Sequence, residues 1–427
     1  MISTIFGTFR VREIRNKVLF TFALLALYRL GSYIPAPAVN TSALQQIQQA
    51  ASGAGILSLM NTFSGGGLGR IAIFALGIMP YITASIILQL LQVVVPSLEK
   101  LSKEGEVGQE KITQYTRYLT VGLAFAQAIG YVFLFKSLEN QAGVTLIQNF
   151  NVGKVFLIAI TLTAGTVLLM WFGELITQHG IGNGISLMIF ASIVSRIPGG
   201  VQSWWNSPDQ VFKVMMPFIV FAVVAGIAFV QLGQRRIPVQ YAKRVIGQRM
   251  TQGGLTYLPL QVNLAGVIPV IFAASVMAIP PTVGQLIGQN KIHNFGTTLA
   301  NFLSPGGWHY VLGEAVLIIL FTYFYTAVMF NPVDQAEELK KYGGFIPGVR
   351  PGRPTAEFLD RVLARLTFPG ALFLALVAAL PTILIDQTGA SFAFGGTSIL
   401  IVIGVALDTM RSLEAQLMMR NYEGFLR

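Results

Sequence analysis

Long apolar runs separated by polar segments follow one another along the chain, many of about the 17–25 residues that carry a helix across a bilayer. Ten such runs are present: Val18–Ile34, Ile71–Val95, Tyr118–Phe135, Val155–Phe172, Ile185–Ile197, Met215–Leu232, Ala265–Ile287, Tyr310–Phe330, Leu366–Ile385 and Phe392–Leu407. The fifth is short enough to be a buried segment that does not span. Residues 1–17 contain Arg10, Arg12, Arg15 and Lys17 and no cleavable leader pattern, and read as a cytoplasmic flank.

Composition supports this pattern. Of 427 residues, 53% are hydrophobic and 11% are charged, against about 25% charged in a soluble domain. Mean hydropathy is +0.64. A soluble enzyme, a disordered tail and a fibrous repeat are excluded. With no cysteine there is no disulfide, iron–sulfur cluster or thiolate zinc site. His179, His293 and His309 lie far apart, so no metal or other cofactor is expected.

The net charge of +11 comes from 29 Lys and Arg against 18 Asp and Glu. If the N-terminus is cytoplasmic and the ten runs alternate, the basic residues fall on the cytoplasmic side except Arg29, Arg70, Lys136, Lys154, Arg196, Lys213 and Lys291. That bias orients the chain with both ends inside, and nucleic-acid binding need not be invoked. The fold class expected is all-α: a polytopic membrane protein with ten transmembrane helices. Its parts are a cytoplasmic segment 1–17, an N-terminal half 18–212, a C-terminal half 213–407 with cytoplasmic loops 233–264 and 331–365, and a cytoplasmic tail 408–427.

Five spans per half is an odd number, so any repeat between the halves is inverted in the membrane. A faint one exists. Gly77-x-x-Pro80-x-Ile82-x-Ala84 in the second run matches Gly266-x-x-Pro269-x-Ile271-x-Ala273 in the seventh, although four matched positions among common membrane residues can arise by chance. The fifth and tenth runs are both short and fronted by glycines: Gly180, Gly182 and Gly184 in one, Gly395 and Gly396 in the other. Before the second run, Ile56, Leu59, Met60 and Phe63 share one helical face, followed by Ser64-Gly65-Gly66-Gly67 and Gly69. Residues 56–70 read either as a half-helix on a glycine hinge or as an interfacial amphipathic turn.

Catalytic signatures are missing. There is no phosphate-binding Gly-x-x-x-x-Gly-Lys-[Ser/Thr] and no His-Glu-x-x-His. Gly180-x-Gly182-x-Gly184 joins two spans rather than a strand and a helix, so it is expected to be a tight hairpin. Arg29, Glu174, Glu314 and Asp408 lie toward span ends. An ion-coupled transporter would carry such groups at mid-depth.

Several longer stretches are more specific: Tyr28-Arg29-Leu30-Gly31 with Ile34-Pro35-Ala36-Pro37, Phe63-Ser64-Gly65-Gly66, Ile73 through Ile82, Gln114-Tyr115-Thr116-Arg117-Tyr118, Gly180 through Ser186, Ala265 through Pro269, Phe345 through Gly352, and Gly395-Gly396-Thr397-Ser398. On these the chain resembles, over essentially its full length, the SecY/Sec61-alpha family, whose bacterial members are channel subunits of the protein-secretion translocon.

That resemblance implies two inverted five-helix halves around a central pore in the bacterial cytoplasmic membrane. It implies a plug from residues 56–70, which include Ile56, Leu59, Met60, Phe63, Ser64, Gly65, Gly66 and Arg70. It implies a pore ring of Ile78, Ile82, Ile189, Ile271 and Ile401, and a lateral gate with polar positions Thr83, Gln89 and Asn263, where a signal peptide meets lipid. By spacing alone, ordinary helix packing is the better explanation of each ring position, and the resemblance reverses that. Interhelical hydrogen bonds at the gate would be worth roughly 0.6–2 kcal/mol each. The cytoplasmic loops would dock the SecA ATPase or a ribosome through Arg350, Arg235, Arg236, Lys243, Arg244 and Arg249, although for all but Arg350 topology charge is an equal explanation. SecE- and SecG-type small subunits would be further partners, and unfolded preproteins the cargo. Ala38 stands where the family would have glycine, and Arg353 where an acidic or other polar residue is common. A secondary transporter with inverted repeats shares the span count. The absence of mid-membrane charge and the hinged half-helix argue against it.

Overall fold

The computed structural model of the chain describes residues 11–40, 64–143, 145–147, 150–206, 210–241, 245–246, 249–250, 255–287, 307–388 and 396–425. Ile56, Leu59, Met60, Phe63, Lys243 and Arg244 lie outside them.

Each of the ten apolar runs contains a helix. In the first half these are α1 (Arg12–Gly31), α2 (Met79–Val94), α4 (Glu106–Ala142), α5 (Val152–His179) and α6 (Gly184–Val194). Two short helices, α3 (Pro96–Lys103) and α7 (Ile197–Trp205), extend α2 and α6. The second half carries α8 (Gln210–Leu232), α9 (Ile268–Ile287), α10 (Trp308–Met329), α12 (Arg353–Thr388) and α13 (Gly396–Phe425), with α11 (Pro332–Lys341) between α10 and α12. Among the described residues, six helical stretches are each long and apolar enough to cross a membrane. The pair α2–α3, bent by 100°, makes a seventh if counted as one span. The bend has a local cause. Pro96 opens α3, and Val95 before it is extended, as a residue preceding proline tends to be.

The two halves repeat one packing scheme. α1 packs on α5 and α6, α2 on α4, α4 on α5, and α5 on α6. In the second half α8 packs on α12 and α13, α9 on α10, α10 on α12, and α12 on α13. These are the same five pairings. The halves meet where α9 crosses α2 and α4, and where α13 crosses α6.

One expected span is shorter than its apolar run. The run from Ile71 to Val95 is helical only from Met79, and residues 71–78 form compact, mostly buried turns. Their backbone groups find partners elsewhere: the Ala36 N–H donates to the Ile71 carbonyl (2.8 Å) and the Ile73 N–H to the Ile34 carbonyl (2.9 Å). Phe74 stacks on Tyr28 of α1, ring centres 6.0 Å apart. Irregular backbone at membrane depth is tolerated where protein surrounds it.

The connections at 233–264 and 331–365 also depart from an all-helical reading. Strands β1 (Gln234–Tyr241), β4 (Leu255–Gln261) and β5 (Gly344–Phe345) form an antiparallel sheet in the order β4-β1-β5, and β2 (Val245–Ile246) pairs with β3 (Arg249–Met250). On β1, Ile237 and Val239 are buried and alternate with exposed Arg236, Pro238 and Gln240. The buried pair joins Leu260, Ile346, Leu359, Val362 and Leu363 in a small core beneath the sheet. β5 comes from the other loop, so the two loops are one unit.

Candidate functional site

The inverted repeat is visible in the backbone. Gly77 and Gly266 both adopt left-handed φ, 59° and 63°. Each lies two residues ahead of its helix, and Pro80 and Pro269 are each the second helical residue. A left-handed turn favours a residue without Cβ, and proline is preorganised for a first helical turn. The same instruction therefore starts α2 and α9, whose first turns carry Ile82 and Ile271.

Ile78, Ile82, Ile189, Ile271 and Ile401 are all buried in one hydrophobic cluster drawn from α2, α6, α9 and α13 and from the turn ahead of α2. These are the repeat-bearing and glycine-fronted spans. A β-branched side chain is stiff at its first torsion and offers no hydrogen-bonding group, so facing isoleucines form a dry, unselective contact.

The hairpin reading of the glycine triplet holds. Asn183 caps α6, its side-chain oxygen accepting from the Ile185 and Ser186 N–H groups at 3.0 and 3.3 Å. A Cβ on Gly184 would stand 2.1 Å from the Gly173 carbonyl oxygen, so α5 and α6 meet this closely only at glycine.

At the gate, the interhelical bonds expected of Thr83, Gln89 and Asn263 are absent among the described residues; their partners are local. The Thr83 hydroxyl donates to the Met79 carbonyl (3.0 Å), the Gln89 amide reaches the Ser85 hydroxyl (3.5 Å), and the Asn263 amide donates to the Gly266 carbonyl (2.9 Å). The reason is proximity: acceptors one helical turn back, or at the αL turn, satisfy these groups first. Gln89 Oε1 and Asn263 Oδ1 stay buried without a donor. Across the α2–α9 contact, the Ser275 hydroxyl, which donates to the Ile271 carbonyl at 2.7 Å, also lies 4.0 Å from the Met79 sulfur.

Of the plug positions, Ser64, Gly65, Gly66 and Arg70 are described. Ser64 is buried and its hydroxyl accepts from the Leu68 N–H (3.0 Å), opening a 3-10 turn at Leu68–Arg70. Arg29 donates to the Gly65 carbonyl. Tyr28 is hydrogen-bonded to Ser192 on α6, so α1 ties both this turn and α6 in place.

Arg235, Arg236 and Arg350 are exposed. Arg235 and Arg236 lie on β1, and Arg350 occupies an open turn between Gly348 and Gly352, five residues past β5. Its carbonyl accepts from the Thr355 hydroxyl (2.8 Å). Arg249 starts β3. Pairing of Gln240 with Phe345 and Tyr241 with Gly344 brings the Arg350 loop to the end of the strand that carries Arg235 and Arg236. Arg353, the departure noted above, pairs with Glu357 at 3.2 Å on the surface.

Comparison with known proteins agrees with this arrangement. A family model described as SecY matches residues 72–410. The chain is 48% identical to the protein translocase subunit SecY of Mycobacterium tuberculosis and 47% identical to that of Corynebacterium glutamicum, with 100% of each chain covered. Among solved structures, a protein-conducting channel superposes with TM-score 0.65 at 19% identity, covering 93% of this chain and 91% of that one. Sec61 from a canine ribosome–channel complex gives 0.61 at 19% identity, with the same coverage. These last two share the fold. A full-length match at nearly half identity, a family model spanning most of the chain and a ten-helix inverted-repeat architecture establish that this multi-pass membrane protein belongs to the SecY family of protein translocase subunits.

Proposed function

We propose that the chain forms a protein-conducting channel that passes unfolded secretory polypeptides across the bacterial cytoplasmic membrane and releases apolar helices sideways into lipid. The observation that supports this reading is that five isoleucines, drawn from both halves, all fall in the one buried apolar cluster that joins them. A narrow apolar waist excludes ions by dewetting, yet has no group that selects among translocating side chains. Ile78, Ile82, Ile189, Ile271 and Ile401 form the ring, and residues 56–70 close it from outside as a plug hinged at Gly65 and Gly66. The gate opens between α2 and α9. An incoming signal peptide, with an apolar region of about 7–15 residues, separates two helices joined chiefly by apolar packing. Gln89 Oε1 and Asn263 Oδ1 then become acceptors at the opened seam.

The chain is a channel subunit and not an enzyme, so energy comes from a partner. A SecA-type ATPase or a translating ribosome docks on the β4-β1-β5 sheet, with Arg350 as the projecting contact and Arg235, Arg236, Lys243, Arg244 and Arg249 as the basic surround. A guanidinium binds carboxylate or phosphate in a fork, which suits an acidic motor surface or ribosomal RNA. Small SecE- and SecG-type subunits clasp the helices in the membrane, and both termini face the cytoplasm. Translocation of an unfolded preprotein into proteoliposomes, read by protease protection, tests the reading. Arg350→Glu should reduce motor-driven translocation at least tenfold while the chain still inserts and folds. Normal translocation by that variant would remove the docking role.

A further inference from the structure

A cluster of positive charge lies outside the ring, gate and docking surface, at the end of α1 remote from the N-terminus. Arg29 is in the last turn of α1, Tyr33 follows the helix, and Arg70 closes the 3-10 turn. The Arg29 guanidinium carbon is 4.8 Å from the Tyr33 ring centre and that of Arg70 is 4.0 Å away. Arg29 Nη2 donates to the Tyr33 hydroxyl at 2.9 Å, and its Nη1 to the Gly65 carbonyl. Two like charges this close repel; the Tyr33 ring faces both, and no carboxylate pairs with either among the described residues. The ion pairs Glu99–Lys103, Arg117–Glu174, Lys136–Glu139 and Arg353–Glu357 lie elsewhere. Residues 41–63, which lead into the turn, contain no Asp or Glu. Arg70 Nη1 is buried and has no acceptor among the described residues.

A guanidinium has five donors and no acceptor. The group that would relieve both the repulsion and the orphaned donor is an anion with several oxygens. We propose that Arg29, Arg70 and Tyr33 form an oxyanion-binding site that takes a phosphate group. Tyr33 is half exposed, so the site opens to the surface. A phosphate held there bridges the end of α1 to the Gly65–Arg70 turn and stiffens their junction. The phosphate can come from free solution or from a lipid headgroup, since Leu27 and Leu30 beside it are exposed on α1. The site does not depend on the channel reading.

The test uses the full chain in phosphatidylcholine nanodiscs, with inorganic phosphate titrated at constant ionic strength and both heat of binding and thermal unfolding recorded. Wild-type protein should bind saturably and unfold at a higher temperature as phosphate rises. Arg70→Gln should lose both effects. Arg70→Lys keeps the charge without the fork and should bind about tenfold more weakly, the loss expected when a bidentate charge-assisted contact is removed. Discs containing phosphatidylglycerol distinguish the sources: a stabilisation that free phosphate no longer increases identifies the headgroup, and unaltered phosphate binding identifies the free anion. If neither phosphate nor phosphatidylglycerol affects wild type more than Arg70→Gln or Arg70→Lys, the proposal is overturned.

Discussion

Arg117 on α4 and Glu174 on α5 are joined by two hydrogen bonds of 2.8 Å each, from Nε and Nη2 to the two carboxylate oxygens. The carboxylate is the more buried partner, its side chain 15% exposed against 44% for the arginine. Removing one partner of such a pair is costly chiefly for the charge left behind. Arg117→Met should therefore destabilise the protein by about 2 kcal/mol, the loss of charge-assisted bonds to a partly buried carboxylate. Glu174→Met, which leaves a guanidinium able to reach water, should cost about 1 kcal/mol. Thermal unfolding in detergent checks the order; equal losses would contradict the asymmetry.

At the waist, Ile82→Ser and Ile271→Ser should each raise the resting ion conductance several-fold in planar bilayers, because a hydroxyl wets a constriction that aliphatic chains keep dry. The two variants should behave alike, since the residues occupy matching places in the repeat. Unchanged conductance in both would remove the ring assignment.

The paired turns at Gly77 and Gly266 make a second symmetric prediction. Alanine at either position forces a Cβ into left-handed backbone, costing about 1–2 kcal/mol. Around Gly266 the nearest atom a Cβ would meet is Asp408 Oδ2 at 3.8 Å, so backbone strain rather than collision sets the cost there. Gly266→Asn should be milder than Gly266→Ala, because asparagine tolerates this conformation better. Matched unfolding curves for the two asparagine and alanine substitutions decide it.

Ala38 has φ 68°, the left-handed region that favours glycine. Ala38→Gly should stabilise the protein by about 0.5–1 kcal/mol, the strain released less the greater entropy of an unfolded glycine. A lower unfolding temperature in that variant would mean that the alanine methyl is held by packing that outweighs the strain.

How much of this was legible beforehand follows from length and period. The ten apolar runs identify ten helices because a bilayer-length run has few alternatives. The stretch from Ile71 to Ile78 is as apolar as the helix after it, so hydropathy does not separate them. Gly77 and Pro80 mark the boundary, and the same spacing at Gly266 and Pro269 marks the second. The Arg-Ile-Pro-Val-Gln alternation at Arg236–Gln240 is the period of a half-buried strand, a readable signal obscured by treating the loop as a reservoir of charge. Pairing of that strand with Gly344–Phe345 was beyond reach, since nothing local specifies a partner a hundred residues away. The gate positions Thr83, Gln89 and Asn263 were identifiable by resemblance, but their bonding depends on which carbonyl lies nearest, and only the folded backbone fixes that.

Strand β1 leads out of α8 while β5 leads through the Arg350 turn into α12, and their pairing fastens the two loops edge to edge. A push delivered at the Arg350 tip therefore cannot be absorbed by one loop flexing alone. A load applied there is shared by both loops and passes into α8 and α12 together, the helices that the two paired strands adjoin.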